Sequence, residues 1–87
     1  MDLHNYRKQI DEIDDELLRL FIDRMSVARQ IALYKKEHNL PALDAAREKE
    51  KLLCIGEKAG EALCSYACTL YTTIFEISRT YQKEIIT

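Results

Sequence analysis

The sequence predicts an all-α protein with three helices per chain, of which the first is the longest, wound into a homodimer. The composition supports a helical fold, since 47% of the 87 residues are hydrophobic, 32% are charged, and only two are Gly and one is Pro. Apolar residues also recur at alternating spacings of three and four along residues 3–36. A helix of that length is too long for a compact chain of this size, which predicts a partner.

The first helix is expected over Leu3 to Lys36, because this spacing keeps one apolar face toward a partner helix over many turns. The positions of this seam are Leu3, Tyr6, Ile10, Ile13, Leu17, Leu20, Arg24, Val27, Ile31 and Tyr34. The helix would be about 50 Å long, whereas a compact chain of this length is only about 30 Å across. We therefore expect a second copy of the chain to cover its far end.

Capping residues and helix breakers set the remaining boundaries. Asp2 or Asn5 can cap the first helix, and Asn39 and Pro41 are expected to end it. Asp44 is placed to cap a second helix.

The second helix is expected to end near Lys58, because Gly56 and Gly60 weaken the helical pattern there. A third helix is then predicted from about Glu61 to Ile85. Two adjacent apolar stripes, one of which includes Leu63 and Leu70, are expected to form one broad buried face on it. The chain is thus predicted to be a single domain over residues 1–87.

Bulk properties exclude several classes of protein. The formal charge is -2 and the isoelectric point is about 5.7, so no overall basic field would attract nucleic acid or an anionic membrane. We see no secretory signal and no apolar run of transmembrane length. We therefore expect a cytoplasmic protein without nucleic-acid or membrane partners.

The cysteines agree with a reducing compartment. Cys54, Cys64 and Cys68 are an odd number without a disulfide-framework spacing. Cys64 and Cys68 share a helix face, but His4 and His38 are distant in sequence and no CxxC is present. We predict buried thiols and no metal site.

Arg24 is the one charged residue of the seam, and a guanidinium cannot be left facing hydrocarbon without an anion. Lys35 lies on nearly the same face, about 16 Å further along the axis. Between them stand the small side chains of Ala28 and Ala32. The pattern predicts a small pocket with a positive charge at either end, suited to a ligand with two anionic groups.

Other polar residues could complete this pocket. Arg7 stands seventeen residues before Arg24 and would reach it only from an antiparallel partner helix. The second helix has one polar face, and the third helix carries two neutral hydrogen-bonding residues one turn apart. These residues are Asp44, Arg47, Glu48 and Lys51 on the second helix, and Ser78 and Gln82 on the third.

Taken singly, each residue has a simpler explanation. Arg24 could form a register-setting buried ion pair with Glu48 or Asp14 of a partner chain. Lys35 could be a solvated charge at a helix end, and the others could be caps and surface pairs. Their joint occurrence favours a ligand site.

Taken together, the motifs resemble the all-α class of chorismate mutases over nearly the whole chain. They read Tyr6-Arg7-x-x-Ile10-Asp11-x-Ile13-Asp14-x-x-Leu17-Leu18-x-Leu20-x-x-x-Arg24, Ala28-x-x-Ile31-x-x-x-Lys35, Pro41-x-x-Asp44-x-x-Arg47-Glu48 and Ser78-x-x-x-Gln82. The resemblance implies an intertwined homodimer with two equivalent active sites. It also implies the rearrangement of chorismate to prephenate without a cofactor.

By matching position, the resemblance implies substrate binding by Arg24, Lys35, Asp44, Glu48, Ser78 and Gln82 of one chain and by Arg7 of the other. Lys35, Gln82, Arg24 and Arg7 would be the catalytic residues, and Arg47 would lie at the rim or behind the residues that touch the substrate. Gln82 is an amide that donates without titrating, so we expect a flat pH profile.

Two alternative functions remain open from the sequence. One is an isochorismate-pyruvate lyase, a class of enzyme whose fold and pocket are similar to those expected here. Such an enzyme acts on a near-isomeric dianion. A non-catalytic helical dimerisation module would use its buried arginines only to fix register.

Overall fold

The computed structural model describes residues 2–87, which form three helices and no strand. The helices are α1 (Leu3–Glu37), α2 (Ala45–Ala59) and α3 (Cys64–Ile86). The predicted all-α, three-helix architecture is confirmed. Helix α3 packs against both α1 and α2.

Local capping explains both ends of α1. The Asp2 carboxylate accepts a hydrogen bond from the Asn5 backbone N–H at 3.0 Å. At the other end Asn39 has a φ of 56°, and the Leu40 N–H donates to the Lys35 carbonyl at 2.8 Å. This is a Schellman motif, which ends the helix and turns the chain so that Ala42 returns toward Lys35.

The boundaries of α2 and α3 also follow from local chemistry. Asp44 caps α2 by accepting from the Arg47 N–H at 3.1 Å. Helix α2 ends at Gly60, whose φ of 84° and ψ of 163° suit glycine almost alone. The Leu63 N–H then donates to the Gly60 carbonyl at 3.2 Å, and this extra turn makes α3 begin three residues later than predicted.

Helices α2 and α3 approach closely at Gly56, which is buried. A Cβ atom at this position would lie 2.9 Å from the Cys64 Sγ and 3.4 Å from the Cys68 Sγ. Both thiols are free and half-buried, so the prediction that they are buried holds only in part; Cys54 is exposed. Burial and the neighbouring Cys64 thiol raise the pKa of Cys68.

The single chain is elongated, with extents of 54 × 26 × 14 Å. Its buried apolar residues are few and lie near the contact of α1 with α3: Ala28, Ala32, Ala42 and Phe75. The N-terminal seam residues of α1 are each more than half exposed, as are Leu63 and Leu70 on the α3 face that was predicted to be buried. No helix within residues 2–87 has the length and apolarity needed to cross a membrane.

Candidate active site

A cavity of about 520 Å³ lies between the C-terminal half of α1, α2 and α3. Volumes of this order are typical of small-molecule sites. Its walls combine apolar side chains such as Val27, Ile31 and Phe75 with many charged ones. The charged residues that line it are Arg24, Lys35, Asp44, Arg47, Glu48, Lys51 and Arg79.

Arg24 faces this cavity without an acidic partner. Its Cζ atom lies 5.8 Å from the centroid of the Phe75 ring, a cation–π contact. Within residues 2–87 the ion pairs are made by Arg19 and Arg79, and Glu48 is the partner of Arg79. Arg24 therefore forms no ion pair with Glu48 within the chain.

Lys35 closes the other end of the cavity, and its ammonium group is held in place. Its Nζ donates to the Ala42 carbonyl at 2.7 Å and to the Gln82 Oε1 at 2.9 Å. The Schellman motif after α1 brings the first of these acceptors into reach. An ammonium has three hydrogens, so one remains for a ligand.

Gln82 has one possible amide orientation in this network. It is 7% exposed, and its Nε2 donates to the Ser78 Oγ at 3.1 Å. Because the Lys35 ammonium can only donate, the amide oxygen must face it and the NH₂ group must point away. One N–H goes to Ser78, which is equally buried, and the second is left for a ligand.

Helix α2 presents its first two turns to the cavity. Asp44 lines it while capping the helix. Arg47, which was expected at the rim or behind the substrate-binding residues, is among the residues that line the cavity, and so is Lys51 one turn later.

Arg79 is the site residue that the sequence reasoning missed. It lines the cavity, and its Nη1 donates to the Glu48 Oε1 across α2 and α3. A signal was present, because Arg79 stands four residues after Phe75 and three before Gln82, on the same helix face.

Arg7 does not line the cavity. It is exposed on α1, seventeen residues before Arg24. That separation corresponds to about 26 Å along the helix axis. Six of the seven predicted substrate-binding residues thus surround one cavity, and Arg7 is the exception.

The three helices enclose a cavity whose charged lining is mostly basic and in which neighbours hold a lysine and an amide, so fold and site define an all-α protein with a cavity suited to a small anion. Residues 6–83 match the family model of chorismate mutase type II. The chain belongs to this family, which confirms the resemblance seen in the sequence.

Individual relatives agree with this assignment. The chain is 43% identical over 47 residues to a chorismate mutase of Methanocaldococcus jannaschii. This match covers 54% of this chain and 48% of that protein. It is 33% identical over 88 residues to a bifunctional chorismate mutase/prephenate dehydratase of Buchnera aphidicola from Schizaphis graminum, covering 98% of this chain and 23% of that protein. A bifunctional protein of the same description from Aquifex aeolicus is 43% identical over 49 residues, or 56% of this chain and 14% of its own length.

The chain therefore spans less than half the length of each of these relatives. No solved structure matches it significantly.

Proposed function

We propose that this protein catalyses the Claisen rearrangement of chorismate to prephenate, without a cofactor, as a homodimer with two shared active sites. Its membership of the chorismate mutase type II family supports the reaction. The observation that carries the proposal is the Arg24 guanidinium, which lines the cavity and forms no ion pair within residues 2–87, while Lys35 lies at the other end. A dianionic ligand supplies the missing countercharges.

The reaction breaks a C–O bond and forms a C–C bond within one molecule. The protein must hold a flexible dianion in a compact chair and stabilise the charge that grows on the ether oxygen. The remaining N–H groups of Lys35 and Gln82 are suited to that oxygen. Both groups are already locked by neighbours, so little reorganisation is needed as the charge develops.

The other residues bind the rest of the substrate. Arg24 binds one carboxylate, because a guanidinium can hold it through two parallel hydrogen bonds. Glu48 accepts from the ring hydroxyl, and Asp44 and Ser78 position the substrate. The second carboxylate is bound by Arg7 of the other chain.

The exposed seam of α1 supports the homodimer. Six apolar side chains of its first half are more than half exposed, namely Leu3, Tyr6, Ile10, Ile13, Leu17 and Leu20. Such a stripe is covered when a second α1 packs against it.

An antiparallel arrangement of the two α1 helices also completes the cavity. A two-fold axis near residues 15–16 would put Arg7 of one chain opposite Arg24 of the other. That point lies within about one helical turn of the middle of the seam, which runs from Leu3 to Tyr34. The symmetry would generate two equivalent sites, each with residues from both chains.

The decisive experiment incubates the protein separately with chorismate and with isochorismate. We expect prephenate from chorismate and no pyruvate from isochorismate. Pyruvate release from isochorismate without prephenate formation would instead assign a lyase, and no turnover of either compound would overturn the proposal.

Replacing Arg24 by Leu distinguishes an enzyme from a helical module that only dimerises. We expect Arg24→Leu to lower kcat/KM by at least about 10³-fold, because it removes the charge that binds one carboxylate. Arg29→Leu is the matched control, since Arg29 is exposed on the same helix outside the cavity. A non-catalytic module would show no turnover in the wild type, and Arg24→Leu would only change its stability.

Mixing two inactive variants tests the shared sites. Arg7→Ala and Lys35→Ala each disable a site, but a heterodimer of the two carries one intact cavity. After chain exchange we expect activity to return to about a quarter of the wild-type level, since half of the dimers regain one of two sites. If exchange is demonstrated by mass spectrometry and activity does not return, the sites are not built across the interface.

A further inference from the structure

We propose that Arg79 is a positioning residue that fixes the Glu48 carboxylate and offsets its charge, so that Glu48 accepts a hydrogen bond from the hydroxyl group of a dianionic ligand. This inference rests on the function proposed above. Arg79 acts through Glu48 and not by binding the ligand itself.

The ion pair joins two helices and borders the cavity. The Arg79 Nη1 donates to the Glu48 Oε1, and the two side chains are 25% and 23% exposed. The other ion pairs within residues 2–87 differ in kind, because Arg19 pairs with Glu16 and Asp23 along one helix face with all side chains more than half exposed. A half-buried pair between helices restricts both partners far more than such a surface pair.

One carboxylate oxygen of Glu48 contacts the protein, and the other is available to a ligand. Arg79 occupies Oε1, which leaves Oε2 to accept from a hydroxyl group in the cavity. A glutamate side chain without a partner samples many rotamers and loses that freedom on binding. The planar guanidinium therefore prepares the carboxylate before the ligand arrives.

Charge supplies a second reason for the pair. A carboxylate beside a dianion is unfavourable unless a cation compensates it. Five basic and two acidic residues line the cavity, and Arg79 is the basic residue in contact with Glu48. Its charge lets Glu48 act as an acceptor while the other cations remain available to the carboxylates of the ligand.

The first test replaces Arg79 by Met. We expect the KM for chorismate to rise about tenfold and kcat to change less than threefold, because the hydrogen bond to the hydroxyl is made in both the ground state and the transition state. Arg79→Lys keeps a charged donor and should bring KM back to within about threefold of the wild type. Arg19→Met, which removes an arginine from a surface ion pair, is the matched control and should leave KM unchanged.

The second test repeats the change in a Glu48→Gln background. If Arg79 acts through Glu48, Arg79→Met should alter KM less than twofold there. An equal rise in both backgrounds would mean that Arg79 contacts the ligand directly or only supports the fold, and would overturn the inference. A wild-type KM in Arg79→Met would also overturn the inference. The same holds if Arg79→Lys is as impaired as Arg79→Met.

Wild-type turnover of chorismate separates this inference from the proposed function. If the wild-type protein converts chorismate and Arg79→Met behaves like it, only the role of Arg79 is wrong. If the wild-type protein leaves chorismate unchanged, the proposed function fails first, and the inference that rests on it fails as well.

Discussion

Replacing Lys35 by Met tests the central element of the mechanism, a fixed ammonium at the breaking bond. Methionine keeps an unbranched side chain, one heavy atom shorter, and removes the charge and all three donors. One donor is assigned to the ether oxygen, and removal of a preorganised donor of this kind costs about 10²–10³-fold in kcat. The lost positive charge adds to this, since charge-assisted hydrogen bonds are roughly twice as strong as neutral ones.

A second loss follows from the hydrogen-bond network. The Lys35 ammonium is the group that orients the Gln82 amide, with its Nζ 2.9 Å from Oε1. Without it, the amide can rotate and present its oxygen to the substrate. We therefore expect kcat to fall by about 10³-fold or more, which corresponds to at least about 4 kcal/mol of barrier.

Lys36→Met is the matched control, because Lys36 is the next residue on α1 and lies outside the cavity. Its Nζ makes a single 3.5 Å contact with the Ile85 carbonyl and is exposed. We expect its kcat to stay within about twofold of the wild type. Chorismate consumption, followed by ultraviolet absorbance, measures kcat and KM for both variants.

Stability must be measured alongside the kinetics. Lys35→Met removes two hydrogen bonds from a charged donor, so we expect the free energy of unfolding to fall by about 1–3 kcal/mol. Thermal melts at one chain concentration check that the variant is folded under assay conditions. A folded Lys35→Met protein that keeps more than a tenth of the wild-type kcat would refute the role given to this ammonium.

Three further predictions concern the amide and the α2–α3 contact. Gln82→Glu should lower kcat at neutral pH by about 10²-fold and regain activity as the pH falls, because only a protonated glutamate can donate; a flat profile in this variant would contradict the role of Gln82. Gly56→Ala should destabilise the fold by about 1 kcal/mol, since crowding against the Cys64 Sγ outweighs the gain in helix propensity. In a Cys64→Ala background the same change should stabilise it, and urea unfolding that gives the same sign in both backgrounds would rule this out. Because the pKa of Cys68 is raised, its thiolate forms only at higher pH, so iodoacetamide at pH 8 should modify exposed Cys54 first; peptide mass mapping that finds Cys68 modified first would count against this.

Much of the fold could be predicted because it is decided by neighbours in sequence. The seam spacing predicted α1, which runs over Leu3–Glu37. Asp2 and Asp44 cap the N-termini of α1 and α2, as expected of aspartate just before a helix. The grouping of Arg24 and Lys35 at one cavity also follows from helical periodicity, since both stand on one face of one helix.

The tertiary structure alone decided how the site residues are paired. Glu48 and Arg79 are 31 residues apart, and although spacing places Arg79 on the face of Phe75 and Gln82, nothing local in either helix indicates that it pairs with Glu48. The orientation of the Gln82 amide likewise depends on Lys35, 47 residues earlier. The close approach at Gly56 and the extra turn before Cys64 depend on how α2 and α3 meet. Periodicity determines which face of a helix is buried, because each turn repeats the same geometry, but the partner across that face is determined only when the helices pack.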